Sequence, residues 1–269
     1  MVSRTRAFRA TSAVPTAVLY MLAFLGAICI PTGQAQEPTA AAATAAERAK
    51  LLEEQTRPQK RVPFNPKDFD KFAGYYQRFP EIPVFVHIYR NADRYYSQIT
   101  GQAPVQIFPE SPSEFFATVA AAQISFDVGP GRQVTGLVLH QGGMLVPWKR
   151  VSTAAFEVAS NRLQQRIKNK IPGAGTEAAM RHQIATLESG EPDYSSMGPG
   201  LAEATRQQLP QLKGLFKKLG ALKSIALSKV LPNGIDMYLA TFEHGQLECA
   251  ISPLSPTGKV VGDFYHLLP

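Results

Sequence analysis

The feature that most constrains the fold is a series of short β-prone runs, separated by tight turns at nearly regular intervals, between residues 74 and 150. The turns include Asn91-Ala92-Asp93, Gly101-Gln102 and Gly142-Gly143, whose residue types favour hairpins. Eight strands are predicted, over residues 74–77, 84–90, 94–100, 105–109, 114–119, 123–128, 133–141 and 144–150. Hairpins make successive strands antiparallel neighbours, and closure removes exposed edges. Residues 66–151 are therefore predicted to form an eight-stranded antiparallel up-and-down barrel.

A different pattern follows the barrel region. Helical spacing of apolar residues extends over 156–170 and 175–188, and a third helix is predicted from Pro199 or Leu201 to Leu219. Four strands follow, over 222–231, 235–243, 246–252 and 259–264. Helices followed by an antiparallel sheet are typical of α+β domains. We expect residues 156–269 to form a second domain, with three helices packed on one face of a four-stranded antiparallel sheet.

The N-terminal 35 residues have the pattern of a signal peptide. Arg4, Arg6 and Arg9 precede an apolar stretch over 14–30, and the small residues Gly33 and Ala35 follow it. Cleavage after Ala35 predicts a periplasmic or secreted protein with no stable membrane span, and a retained anchor is the alternative. Residues 36–65 are predicted to be a linker that contains a short solvated helix over 45–55.

Composition excludes several classes of protein. Two cysteines, Cys29 and Cys249, cannot form a disulfide framework, and Cys249 lies in an alternating apolar run that predicts a core position. Three units of the formal net charge of +7 come from the arginines of the signal segment, which leaves +4 for the mature chain. That charge argues only weakly for nucleic acid, and no nucleic-acid partner is predicted.

The sequence contains no motif that carries a known reaction. It has no Gly-x-Ser-x-Gly elbow, no Ser-x-x-Lys, no His-Glu-x-x-His and no phosphate-binding glycine loop. No pair of histidines has the spacing of metal ligands, so no catalytic residue, metal or cofactor is predicted. The five histidines are scattered over different elements: His87, His140, His182, His244 and His266.

Aromatic residues are concentrated in the barrel region, where most are expected to pack in the core. A functional interpretation is that His87, Tyr89, Gln98 and Trp148 line a cavity that binds a small apolar or amphiphilic ligand. His140 is a second histidine that could point into the barrel. Strand parity alone does not tell which face is inside, so core packing remains the alternative for each of these side chains.

Two stretches resemble a known family. The first resembles the lipocalin-like C-terminal accessory domain of beta-lactamase-related serine peptidases and esterases. The second resembles the α+β module that often follows that domain. Together they cover roughly residues 66–268. The residues that carry the resemblance are Phe72-Ala73-Gly74-Tyr75-Tyr76, Ser97-Gln98-Ile99-Thr100-Gly101-Gln102, Phe108-Pro109-Glu110, Phe115-Phe116 and Ile124-Ser125-Phe126-Asp127 in the first stretch, and Gly175-Thr176-Glu177-Ala178-Ala179, Gly190-Glu191-Pro192-Asp193-Tyr194, Met197, Leu219-Gly220, Asn233-Gly234-Ile235-Asp236-Met237-Tyr238 and Phe242 in the second.

The resemblance implies a lipocalin-like barrel followed by a cystatin-like domain, but it implies no activity. The family's catalytic domain, with its nucleophilic serine and activating lysine, is absent from this sequence. Tyr89-Arg90-Asn91 and His140-Gln141-Gly142 resemble two further elements of those hydrolases, but neither can act without the nucleophile.

The first functional hypothesis is therefore a non-catalytic accessory or ligand-binding protein. Its partner is either a small apolar or amphiphilic molecule or a serine hydrolase that it modulates in trans. A second hypothesis is an enzyme of the cone-shaped α+β, isomerase-like class that uses a buried carboxylate, with Asp193 or Asp236 as the candidates and Glu243 near them. A truncated hydrolase remnant is the third.

Overall fold

The structure is a computed structural model that describes residues 45–269. The predicted signal peptide, its cleavage point and Cys29 lie outside the described residues. Between residues 45 and 269, no helix is both long enough and apolar enough to cross a membrane.

The first half of the described chain is a closed eight-stranded antiparallel barrel. Each strand pairs with the next, and β1 closes the barrel by pairing with β8. The predicted meander is confirmed, and most strand limits agree with the prediction within two residues. The strands are β1 (Gly74–Gln77), β2 (Phe85–Asn91), β3 (Arg94–Ile99), β4 (Val105–Pro109), β5 (Glu114–Ala117), β6 (Ala122–Val128), β7 (Val134–Gln141) and β8 (Met144–Val151).

Aromatic side chains fill much of the barrel interior. Two helices precede β1: the longer helix α1 (Ala45–Thr56) and the four-residue helix α2 (Pro66–Phe69). Phe69 and Phe72 are fully buried in the barrel core. Phe69 stacks on Tyr95 with ring centroids 4.3 Å apart, and Phe72 stacks on Phe126 at 4.2 Å. The segment before β1 thus contributes its own rings to the interior of the barrel.

Helix α1 is docked on the β7–β8 hairpin. The Gln55 side chain, only 4% exposed, accepts a hydrogen bond from the Gly143 N–H at 2.8 Å and donates one to the Met144 carbonyl at 3.2 Å. A Cβ on Gly143 would lie 2.7 Å from the Arg48 carbonyl oxygen. The short helix predicted within the linker is therefore present, but it packs on the barrel through Gln55 and is not fully solvated.

The second half contains a separate four-stranded antiparallel sheet with helices. The strand order is β12-β11-β10-β9, so β12 and β9 are the edges. The inner face of the sheet packs on α4 and α5, and Cys249 is fully buried there, as predicted. The elements are α3 (Thr153–Asn169), α4 (Thr176–Glu188), a 3₁₀ turn (Tyr194–Ser196), α5 (Pro199–Leu219), β9 (Leu222–Val230), β10 (Asp236–Phe242), β11 (Gly245–Ile251) and β12 (Asp263–Leu267).

Helix α3 lies at the junction of the two halves. Its Phe156 ring stacks on Tyr75 of β1 with centroids 3.7 Å apart. Near its other end, Arg166 Nη2 donates to Asp236 Oδ1 at 2.7 Å, which ties α3 to the start of β10. Of the three helices predicted on the sheet, α4 and α5 thus pack on its inner face, whereas α3 connects the sheet with the barrel.

The last strand begins four residues later than predicted. Val260, expected within that strand, forms an isolated parallel bridge with Met197. The Val260 N–H donates to the Ser196 carbonyl, and the Gly198 N–H donates to the Val260 carbonyl at 2.7 Å. Because these backbone groups are bonded to the segment before α5, pairing with β11 starts only at Asp263.

Candidate functional site

The four predicted ligand-binding residues lie on two different faces of the barrel. His87 is directly opposite Tyr75 and Gln98, and Tyr89 is opposite Tyr96, which places His87, Tyr89 and Gln98 on the outer face. Trp148 belongs to the inner core. The four side chains therefore do not surround one barrel cavity, because strand periodicity separates Trp148 from the other three.

The outer-face residues form a row of stacked rings. His87 lies between Tyr75 and Tyr89, with ring centroids 4.4 and 4.7 Å away, and Tyr89 continues the row to Tyr96 at 5.3 Å. Burial among these rings lowers the pKa of His87, which favours the neutral imidazole. The row lies on the outside of the barrel, on strands β1, β2 and β3.

A small pocket lies beside this row, at the junction with α3. Its volume is about 200 Å³, and His87 and Gln98 line it together with Phe156, Leu163 and Pro232. The Gln98 amide donates to the Gln102 carbonyl at 3.1 Å. The pocket brings two of the four predicted residues together, but it is smaller than a typical site for a drug-sized ligand.

Trp148 carries an unusual feature for a core residue. Its side chain is 3% exposed, and its Nε1–H has no hydrogen-bond partner in the described part of the chain. A buried indole N–H without a partner costs roughly 1–3 kcal/mol. The interior around it is apolar, since Leu137 faces it across the β7–β8 pair.

One serine and one histidine are in hydrogen-bond contact on the barrel surface. Ser125 Oγ lies 2.7 Å from His140 Nε2. Both residues alternate with inward-facing neighbours, so His140 does not point into the barrel. A nucleophile also needs donors for a developing oxyanion. The backbone around Ser125 pairs with β5 on one side and β7 on the other, which leaves no free amides for that role.

The acidic residues considered for proton chemistry have separate structural roles. Asp236 is fully buried and accepts hydrogen bonds from Arg166, from the Gly173 N–H and from the Thr176 hydroxyl, the last two at 2.6 Å. Asp193 caps the 3₁₀ turn. Hydrogen bonds from the Ser195 hydroxyl and from His182 hold its pKa below the usual range.

Glu243 is exposed and accepts a hydrogen bond from the Ala221 N–H at 3.3 Å. None of the three predicted acids therefore presents a free carboxyl group to a cavity.

A second cavity, larger than the pocket beside His87, lies in the second half of the chain around the edge strand β12. We call it the α5–β12 cavity; its volume is about 740 Å³. Helix α5 contributes one stripe of side chains at helical spacing, namely Leu201, Ala204, Thr205, Gln208, Leu212 and Leu215. These side chains form the largely apolar wall of the cavity.

Strand β12 contributes residues from both of its faces. Tyr265 pairs with Cys249 of the inner core, so Asp263 and Tyr265 face inward, whereas Phe264 and His266 face outward. All four line the cavity. The cavity exists on both sides of β12 because this strand is a short edge with no further strand beside it.

On the outward-facing side of β12, the cavity continues over a small apolar cluster on the sheet face opposite α4 and α5. Ile235, Met237 and Ala250 are buried there, and all three line the cavity. Glu248 lines the same side and pairs with Lys229 at 3.7 Å. The cavity is therefore mostly apolar with a few polar groups, the usual composition of a small-molecule site.

Asp263 is the carboxyl group whose pKa is raised within this cavity. Burial raises the pKa of Asp263 to about 6, although the hydrogen bond from the Tyr265 hydroxyl at 3.0 Å acts in the opposite direction. Burial also raises the pKa of Tyr265 well above its usual value. A perturbed carboxyl group in a cavity marks a candidate functional site.

The alternation of residues around Asp263 indicates a buried position for its carboxyl group. The run Gly262-Asp263-Phe264-Tyr265-His266 alternates, and period two places Asp263 on the same face as Tyr265. A lone acid with the parity of an inward-facing aromatic residue is a candidate buried carboxyl group. The predicted strand ended at Phe264, and so it did not reveal this relation.

Within the described residues, no group of three or more histidine, cysteine, aspartate or glutamate side chains is arranged to hold a metal ion. Comparisons of the chain with protein-family models, with curated proteins and with solved structures find no match. Its function is therefore inferred from its own residues and geometry.

Proposed function

We propose that this protein is an exported, non-catalytic binding protein that takes up a small apolar or amphiphilic molecule in the α5–β12 cavity. The observation that carries the proposal is the cavity itself: about 740 Å³, walled by the leucines of α5 and containing few polar groups. Cavities of roughly 300–1,000 Å³ with this composition are typical of small-molecule sites. The binding site is thus assigned to the second half of the chain instead of to the barrel interior.

The barrel has a supporting role in this proposal. Its core already contains the Phe69 and Phe72 rings, and the pocket beside His87 has only about 200 Å³. We propose that the barrel is of the lipocalin-like type, supported by its up-and-down strand order. We also propose that the second half is cystatin-like, supported by helices that precede an antiparallel sheet.

Native mass spectrometry of the mature chain, beginning at about Gln36 and isolated without denaturation from the secreted fraction, tests the binding function. The expected result is a reproducible added mass that dissociates as a small apolar molecule. Ala204→Trp, which places a large ring in the cavity wall, should remove the added mass. Ala154→Trp, at an exposed position of α3, is the matched control and should keep it.

A bare wild-type chain that also takes up no added apolar amine, acid or alcohol would overturn the proposal. An added mass that Ala204→Trp retains would place the ligand elsewhere in the molecule.

The resemblance supports a second candidate, modulation of a serine hydrolase in trans. Its test is co-purification from the secreted fraction with a protein that an active-site serine probe labels. If the probe labels this chain itself, the non-catalytic assignment fails.

A further inference from the structure

The charged groups that line the α5–β12 cavity are of one sign. Asp263 and Glu248 line it, and among the described lining residues there is no arginine or lysine. The chain as a whole has the opposite bias, with 28 Lys and Arg against 21 Asp and Glu. The cavity is therefore an acidic site within a basic protein, and charge complementarity decides which amphiphiles it accepts.

The two carboxylates differ in their surroundings. Glu248 has a basic neighbour, because Lys229 lies 3.7 Å away and the Glu248 side chain is about one-third exposed. Asp263 accepts a hydrogen bond from the Tyr265 hydroxyl, but it has no ion-pair partner in the described part of the chain. A charged carboxylate in an apolar cavity without a cation is costly. A cationic group of a ligand would supply the missing partner.

Building on the small-molecule function proposed above, we propose that the α5–β12 cavity selects amphiphilic cations, in which an apolar chain or ring carries a protonated amine. The ammonium group lies against Asp263 and Tyr265, and the apolar part lies along Leu201 and Leu212 of α5. An anionic amphiphile of the same length would bring its carboxylate against the Asp263 carboxylate, which disfavours its binding.

The test compares three probes with the same apolar chain and different head groups. Decylammonium, decanoate and decanol are titrated into the mature chain at pH 7.5 by isothermal titration calorimetry, below their micelle concentrations. We expect decylammonium to bind at least about tenfold more tightly than decanoate, which corresponds to about 1.4 kcal/mol. Asp263→Asn should remove most of this preference by weakening decylammonium and leaving decanol unchanged.

Two further variants keep the test interpretable if Asp263→Asn does not fold. Glu248→Gln removes the other carboxylate of the lining and should reduce the preference by a smaller factor, because Lys229 already neutralises part of its charge. Asp70→Asn, at an exposed position before the barrel, is the matched control and should leave all three affinities unchanged.

The pH dependence provides an independent measurement. Decyltrimethylammonium keeps its charge at every pH, so its affinity should rise several-fold between pH 5 and pH 7 as Asp263 ionises. The other titratable groups on the same sheet face as Asp263 are Tyr265 on β12 and Cys249 on β11. Glu248 and His266 pair with each other on the opposite face, and α5 lines the cavity with no charged side chain. His266→Asn should keep the pH dependence, and Asp263→Asn should remove it.

The outcomes separate the two proposals. If none of the probes binds, the small-molecule function fails. If decanoate binds as tightly as decylammonium, or if Asp263→Asn leaves their ratio unchanged, the function stands and the selection for cations is overturned.

Discussion

The buried ion pair between Asp236 and Arg166 offers the sharpest test of how the second half of the chain is held together. Asp236 is fully buried, and Arg166 is 15% exposed. The Asp236 carboxylate accepts hydrogen bonds from three donors: Arg166 of α3, the Gly173 N–H and the Thr176 hydroxyl. Asp236→Asn removes the negative charge and turns an NH₂ group toward donors, which leaves Arg166 without its buried partner.

Breaking a buried pair from one side costs about 3–5 kcal/mol. For a chain of this size, each kcal/mol lowers Tm by roughly 2–4 °C, so we expect a decrease of about 6–20 °C. Differential scanning calorimetry measures this decrease in Tm for the whole protein. Trp148, the only tryptophan of the chain, lies in the barrel core, so its fluorescence shows whether the barrel unfolds with the sheet or separately.

Asp70→Asn is the matched control, because Asp70 also pairs with an arginine through two contacts. Its partner is Arg90, but the Asp70 side chain is half exposed, so solvent screens the pair. Exposed pairs contribute little, and we expect a change in Tm within about 2 °C. Equal and small decreases for both variants would refute the reasoning, because burial would then make no difference to the ion pair.

Three further predictions follow from single sites. Burial raises the pKa of Asp263 from 3.8 to about 6, so the folded state binds the proton more tightly than the unfolded state. The free energy of unfolding should therefore fall by about 1–3 kcal/mol as pH rises from 4 to 6. The difference in Tm between wild type and Asp263→Asn, measured across this pH range, checks this prediction. Gly143→Ala should destabilise the protein more than Gly142→Ala in urea unfolding, because both glycines have positive φ but only Gly143 would place its Cβ against α1; equal effects would show that α1 is not held there. A fluorophosphonate probe should not label Ser125 despite its contact with His140, and labelling that Ser125→Ala abolishes would contradict the non-catalytic assignment.

Most of the fold was predictable because its signals are local. Turn residues such as Gly101 and Gly142 have positive φ, as hairpins require, and the alternation between them fixes the strand register. The last strand was the exception. Its limits depend on a contact between Val260 and Met197, which are 63 positions apart. No local pattern reports a contact of that range.

The candidate site was less predictable, because a site depends on which faces meet. His87 and Gln98 lie on the outer face of the barrel, and Trp148 lies on the inner face with the core residues. Alternation separates the two faces of a strand, but it does not tell which face is the inner one. Asp263 was missed for a related reason: its burial depends on α5, a helix that begins more than 60 residues earlier in the chain. Alternation along a strand tells which neighbouring side chains share a face. The residues that line a cavity are known only from the tertiary structure.

The position of the cavity follows from how each half completes its hydrogen bonding and packing. In the barrel, β1 pairs with β8, so no edge is left, and Phe69 and Phe72 enter the core. The sheet of the second half cannot close, and Val260 is held by the segment before α5, so β12 covers only part of the helix that faces it. Leu212 and Leu215 of α5 are only partly buried against the core cluster, and both line the cavity. The same late start places Asp263 at the first position of the exposed edge. Apolar walls occur there together with a carboxylate that has no cationic partner among residues 45–269. The α5–β12 cavity, which we propose as the site for an amphiphile, thus lies where an open sheet has a shortened edge strand.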